Sequence, residues 1–147
     1  MTQTEVQEAA ATAASTNTSG RVLCNARNHY FVVDGMGESG PGEAINHGEV
    51  LLSGVAACGV ELVQALAKRE SIPLKAVMVE ITGRVDRSRP IRRDLTVINA
   101  LRLRFTMKGV ADQQGRQLIE GYQAACPLYG TIAAAIPDVQ VELRIEP

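Results

Sequence analysis

The sequence of 147 residues contains no tryptophan, and Phe and Tyr together make only 3 % of it. Its core must therefore be aliphatic. Basic residues are not in excess: 15 Lys and Arg face 16 Asp and Glu, a net charge of -1. Such a balance excludes the basic footprint of a nucleic-acid or anionic-membrane binder. Histidine is confined to His29 and His47, and the three cysteines, Cys24, Cys58 and Cys126, match no zinc spacing, so neither a metal nor another cofactor is expected. No apolar run reads as long enough to span a bilayer. Residues 1–20 lack the basic and apolar regions of a secretory signal, which predicts a cytoplasmic protein. Structural disulfides are rare in that compartment, so the cysteines need another explanation.

What is present is ordinary for a globular domain: 46 % hydrophobic and 21 % charged residues. The length suits one domain, expected over 21–147, behind a mobile polar tail over 1–20 with a frayed helical turn at Glu5 to Ala14. Val22, Cys24 and Ala26 alternate, and "HYFVVD" forms a second β-rich run. Asn46 followed by Glu49 has the form of a capping box. From there Leu51, Val55, Cys58, Leu62 and Leu66 recur at helical steps, up to Arg69 before Pro73. Two half-buried strands follow, Val77 to Ile81 and Leu95 to Met107, around the charged turn "DRSRPIRRD". Asp112 is placed to cap a second helix, and Val139 to Ile145 alternate as a closing strand.

This order predicts an α+β domain with a largely antiparallel sheet. The small-residue run "SGVAACG" permits close approach of another backbone, from the second helix or a second subunit. "GMGESG" has the letters of a dinucleotide-binding loop, but Pro41 and Gly42 follow where a helix must open, and Glu38 and Glu43 would repel phosphate. It reads as a turning loop.

Cys58 falls mid-helix, where the helix dipole offers little to a thiolate. Burial alone would disfavour its ionisation, so a reactive Cys58 requires a cation from elsewhere. Cys126 precedes Pro127, a residue suited to the first position of a helix. A thiolate at that cap would meet unpaired N–H groups. The residues alone leave two readings open, a reacting pair or two core cysteines that never meet. Cys24 reads as a core residue of the first strand.

Two longer stretches carry a resemblance. "GEVLLSGVAACGVELVQALAKRESIPLKAVMVEITGRVD" is similar to the first helix and following strand of the OsmC/Ohr family, the osmotically inducible and organic-hydroperoxide-resistance proteins. "LIEGYQAACPLYGTIAAAIPDVQVELRI" resembles the family's second helix, Cys-Pro and closing strand. The resemblance implies an OsmC-like intertwined homodimer with two long central helices and a site at the interface. It further implies a thiol peroxidase acting on organic hydroperoxides, with Cys58 as the peroxidatic residue and Cys126 as the resolving one, regenerated by a dithiol reductant such as a lipoyl group. The family's activating arginine comes from the N-terminal strands. Arg21 and Arg27 both qualify, and Arg27 is favoured because "ARNHYFVVDG" resembles a strand pair of OsmC-like relatives. Gly48 stands where the hydroperoxide-resistance branch carries its catalytic glutamate, and Glu49 follows one place later, as in other OsmC-like members. That departure motivates an alternative: a dimer that holds a small apolar or thiol ligand without turnover.

Overall fold

The computed structural model describes residues 6–35 and 42–147. The chain divides into two compact units, Met1–Val50 and Leu51–Pro147. Of the loop that begins at Gly35, residues 36–41 lie outside the described residues, and with them most of "GMGESG".

The N-terminal unit is an antiparallel meander of β1 (Thr12–Ser15), β2 (Arg21–Ala26) and β3 (His29–Asp34), paired in that order. Strand β1 corrects the expected tail and its helical turn. Thr12 to Ser15 pair with Asn25 to Val22, so cross-strand hydrogen bonding outweighs the helix propensity of the alanines. Cys24 therefore lies on the second strand and is half-buried, facing Ala13 and Phe31 in register rather than filling a core. Arg27 and Asn28 make the β2–β3 turn with φ of 51° and 64°. Positive φ at both central positions gives the twist that a two-residue hairpin needs. At the open end of the hairpin, Arg21 pairs with Asp34 at 3.0 Å, and the Glu43 N–H donates to the same carboxylate oxygen at 3.1 Å. That backbone bond and the guanidinium hold the Asp34 carboxyl below its ordinary range.

Helix α1 (His47–Arg69) starts as the sequence predicts. The Glu49 N–H donates to Asn46 Oδ1 at 3.0 Å, and the Asn46 N–H donates to Glu49 Oε2 at 2.9 Å. By length and composition α1 is apolar enough to cross a membrane, against the expectation that no run is. Five of its residues, Val55, Gly59, Val63, Leu66 and Ala67, are buried, along one face only. The buried stripe is thus rotated from the one expected, and Leu51 is 48 % exposed. Gly59 sets that phase. A Cβ there would lie 3.2 Å from the Phe105 ring and 3.3 Å from Val79, so the helix approaches the sheet closely at this point.

The sheet of the C-terminal unit runs β4 (Ala76–Arg84), β5 (Ala100–Lys108), β6 (Asp138–Glu146). Strands β4 and β5 are antiparallel, whereas β5 and β6 are parallel, Ala100 facing Asp138. The sheet is mixed because β6 is reached by a helical crossover, as parallel neighbours require. That crossover is not one long helix. Pro127 divides it into α2 (Asp112–Ala125) and α3 (Pro127–Ala135). Ala111, not Asp112, caps α2, and its N–H donates to Gln114 Oε1 at 3.0 Å. Asp112 pairs with Arg116 instead. Strand β5 begins five residues later than expected, because Asn99 is tied to the loop: its Oδ1 accepts from the Asp86 N–H, and its Nδ2 donates to the Arg89 carbonyl. Leu101, Leu103, Phe105 and Met107 point from β5 into a largely aliphatic core with Val63, Leu66 and Leu118, in which Phe105 meets Tyr122. On the other face Arg104 joins Glu80 and Glu142, its two cross-strand neighbours.

Candidate active site

Helix α1 carries Cys58, and the α2–α3 junction carries Cys126. A residue before proline is pushed out of the helical region, and Cys126 is extended, with φ −79° and ψ 112°. It still donates its N–H to the Tyr122 carbonyl at 2.9 Å, closing α2. Its side chain then opens α3: Cys126 Sγ accepts the Tyr129 N–H at 3.3 Å. The cap expected from Cys-Pro is present, with sulfur as the acceptor.

The fold brings the two cysteines together. Cys58 Sγ and Cys126 Sγ are 2.7 Å apart, both as free thiols. A disulfide bond measures about 2.05 Å, so closing the bond requires movement of less than about 1 Å. Cys126 is buried, and Cys58 is partly accessible at the edge of the core. A reagent that enters the site thus meets Cys58 before Cys126.

The electrostatics oppose a thiolate on Cys58 within this unit. Burial pushes its pKa up to about 11, aided by the hydrogen bond and charge of Cys126 and by the nearby Glu61 carboxylate. Tyr122 is also shifted upward, by burial first and then by the two sulfurs. Its ring packs between Phe105 and Tyr129, with centroids 5.0 Å and 5.2 Å away. The Tyr129 hydroxyl accepts from Gln123 Nε2 at 2.9 Å.

The remaining predicted residues belong to the N-terminal unit. Arg27 stands at the β2–β3 turn, and among the described residues of that unit it meets no carboxylate. Arg21 is committed to Asp34 and, at 2.7 Å, to Glu43. Glu49 sits in the first turn of α1, with one carboxylate oxygen engaged by the cap. Cys24 lines a cavity of about 500 Å³ with Phe31, Val33 and His47. No group of His, Cys, Asp and Glu suited to a metal ion occurs among the described residues.

Sequence reasoning missed Tyr122 and the Tyr129 N–H as neighbours of the pair. For Tyr122 a signal existed: it precedes Cys126 by four residues, one turn of the same helix.

A family model described as OsmC-like protein matches residues 40–142. No curated protein matches the sequence. Among solved structures, an OsmC like protein from Mycoplasma pneumoniae shares 15 % identity at a TM-score of 0.79, over 95 % of this chain and 96 % of that one. An organic hydroperoxide resistance protein from Elizabethkingia anophelis shares 16 % identity at a TM-score of 0.79, over 98 % and 100 %. The organic hydroperoxide resistance protein OhrB of Bacillus subtilis shares 17 % at 0.68, over 94 % and 98 %. These TM-scores establish a shared fold, and the family match covers most of the sequence: the chain belongs to the OsmC-like protein family.

Proposed function

We propose that the protein is a two-cysteine thiol peroxidase that reduces organic hydroperoxides. The observation that carries this reading is the 2.7 Å separation of Cys58 Sγ and Cys126 Sγ, one partly accessible and the other buried. The Cys58 thiolate attacks a peroxide oxygen, the O–O bond breaks, and the alkoxide leaves and takes a proton to become an alcohol. Cys58 is left as a sulfenic acid. The Cys126 thiolate attacks that sulfur, and the hydroxyl departs as water once protonated. A dithiol reductant then restores both thiols by exchange. Hydroperoxide resistance is the named property of two structural neighbours, which supports the substrate class.

With its pKa pushed up to about 11, Cys58 is overwhelmingly a thiol at pH 7. The reading therefore needs a cation, and Arg27 is its proposed source, with Glu49, which Arg27 does not meet among the described residues of one chain, as the carboxylate that orients it once the dimer forms. It also includes a homodimer: α1 is strongly apolar, yet much of it is uncovered in the single chain. A stable monomer in sedimentation at micromolar concentration would refute the dimer. The raised Cys58 pKa favours a second reading, a dimer that holds a small apolar or thiol ligand without turnover. Consumption of cumene hydroperoxide with dithiothreitol or a dihydrolipoyl donor separates the two. Turnover that disappears in Cys58→Ser is expected, and turnover no greater than that of the variant rejects the enzyme.

A further inference from the structure

The Tyr122 side chain is fully buried, and its hydroxyl has no partner in good hydrogen-bond geometry among the described residues, Cys126 being the side chain that bears on it as a bonding neighbour. Buried polar groups are nearly always paired, so an exception of this kind calls for a role. The ring cannot swing away to find one, because it is held between Phe105 and Tyr129. Tyr122 lies one helical turn before Cys126, whose N–H still bonds the Tyr122 carbonyl, so the two side chains share a helix face. The ionisable groups that bear on the hydroxyl are sulfurs first, Cys126 and then Cys58, with Tyr129 next. Burial and those neighbours keep the phenol protonated, so it is available as a donor. Cys126 Sγ already accepts one N–H, from Tyr129.

We infer that the Tyr122 hydroxyl and the Tyr129 N–H together form a two-donor cradle for the Cys126 thiolate. The inference rests on the proposed Cys58–Cys126 disulfide cycle and adds a positioning residue to it. The cradle acts in two steps. In resolution the Cys126 thiolate attacks the Cys58 sulfenic sulfur, the S–S bond forms and hydroxide leaves. In reduction an external thiolate attacks Cys58 Sγ, the S–S bond breaks and the electron pair departs on Cys126 Sγ. A leaving thiolate that is better stabilised leaves faster. In the dithiol state the hydroxyl waits for the charge that either step brings to Cys126.

Tyr122→Phe keeps the ring and removes the donor. The disulfide is first made with diamide, which needs no peroxidase chemistry, and its reduction by dithiothreitol is followed by stopped flow. We expect reduction about tenfold slower in Tyr122→Phe, the loss of one hydrogen bond to a charged sulfur. Resolution after one equivalent of cumene hydroperoxide should slow by less, because the thiolate that loses the donor is scarcer but more nucleophilic. Oxidation of Cys58 itself, measured with Cys126→Ser in both backgrounds, should not change. Unchanged reduction and resolution rates overturn the inference, as does failure of diamide to link Cys58 to Cys126. Slower reduction of the diamide-made disulfide in a protein that consumes no peroxide supports the cradle and rejects the peroxidase. Should Tyr122→Phe not fold, the tyrosine band of Cys24→Ser, Cys58→Ser decides, followed as Cys126 ionises with rising pH: a shift that accompanies thiolate absorbance supports the contact, and none overturns it.

Discussion

Cys58 Sγ lies 2.7 Å from Cys126 Sγ, although 68 residues separate them in sequence. Neither helix makes this contact alone. Close approach of α1 to the sheet at Gly59 and the break at Pro127 fix the two positions separately. The first prediction follows directly. One equivalent of organic hydroperoxide should give an intramolecular Cys58–Cys126 bond by mass spectrometry, with Cys24 left as a thiol. Cys126→Ser should instead hold Cys58 as the sulfenic acid after one equivalent, and a second equivalent should carry it to the sulfinic acid, because no partner intercepts it. Oxidation of Cys24 or Cys126 before Cys58 would reverse the proposed roles.

Arg27 can be tested through pH. Cys58 is an acid, and a raised pKa removes thiolate at every pH below it. Burial, Cys126 and Glu61 push that value to about 11; a guanidinium brought beside the sulfur would pull it down. In a Cys24→Ser, Cys126→Ser background, which also removes the upward push of Cys126, thiolate absorbance should appear well below pH 11, and it is the upward return in Arg27→Ala that measures the arginine. At pH 7 the same substitution should slow Cys58 oxidation by about tenfold for each unit of that return. A curve already near 11 and indifferent to Arg27→Ala would remove this arginine from the site.

Gly59 is a packing prediction. Alanine at an interior helix position gains up to about 1 kcal/mol over glycine. Here the new Cβ meets Phe105 and Val79 at 3.2 Å and 3.3 Å, so that gain is offset. Valine adds two more methyl groups to the same contact. Gly59→Val should cost about 1–3 kcal/mol in urea denaturation, as overpacked cores do. It should also disturb the neighbouring Cys58. An unchanged midpoint would mean that α1 is free to move off the sheet.

Local signals were legible in the sequence. Asn46 with Glu49 and Cys126 with Pro127 each fix a helix end within four residues, and both ends formed as read. The phase of α1 was not legible in the same way. Periodicity counts side chains, and the residue that decides which face meets the sheet is Gly59, which has none. Alternation marked β6 as a strand but carried no information about its neighbour, so its parallel pairing with β5 was not read. Cys58 and Cys126 could be paired only through family resemblance, because no local pattern encodes a contact between separate elements. The Tyr122 hydroxyl was hidden by its ring, which counts as apolar in a helical stripe.

Glu49 separates a cap from a catalytic role. Its Oε2 accepts the Asn46 N–H, and a glutamine at that position can accept the same bond. Glu49→Gln should therefore leave stability within about 0.5 kcal/mol of wild type, whereas Glu49→Ala loses the reciprocal bond and should cost about 0.5–2 kcal/mol. Thermal melts of the two variants measure the cap. The charge is a different quantity: glutamine removes it and keeps the shape. If the carboxylate orients Arg27, Glu49→Gln should lower peroxide turnover about tenfold while its melt stays unchanged, the loss of one charged hydrogen bond. Addition of Arg27→Ala to Glu49→Gln should then cost less than Arg27→Ala costs alone, because the two residues act on one interaction. A Glu49→Gln variant as active as wild type would assign Glu49 to the helix cap alone and leave Arg27 to act on Cys58 without a carboxylate partner.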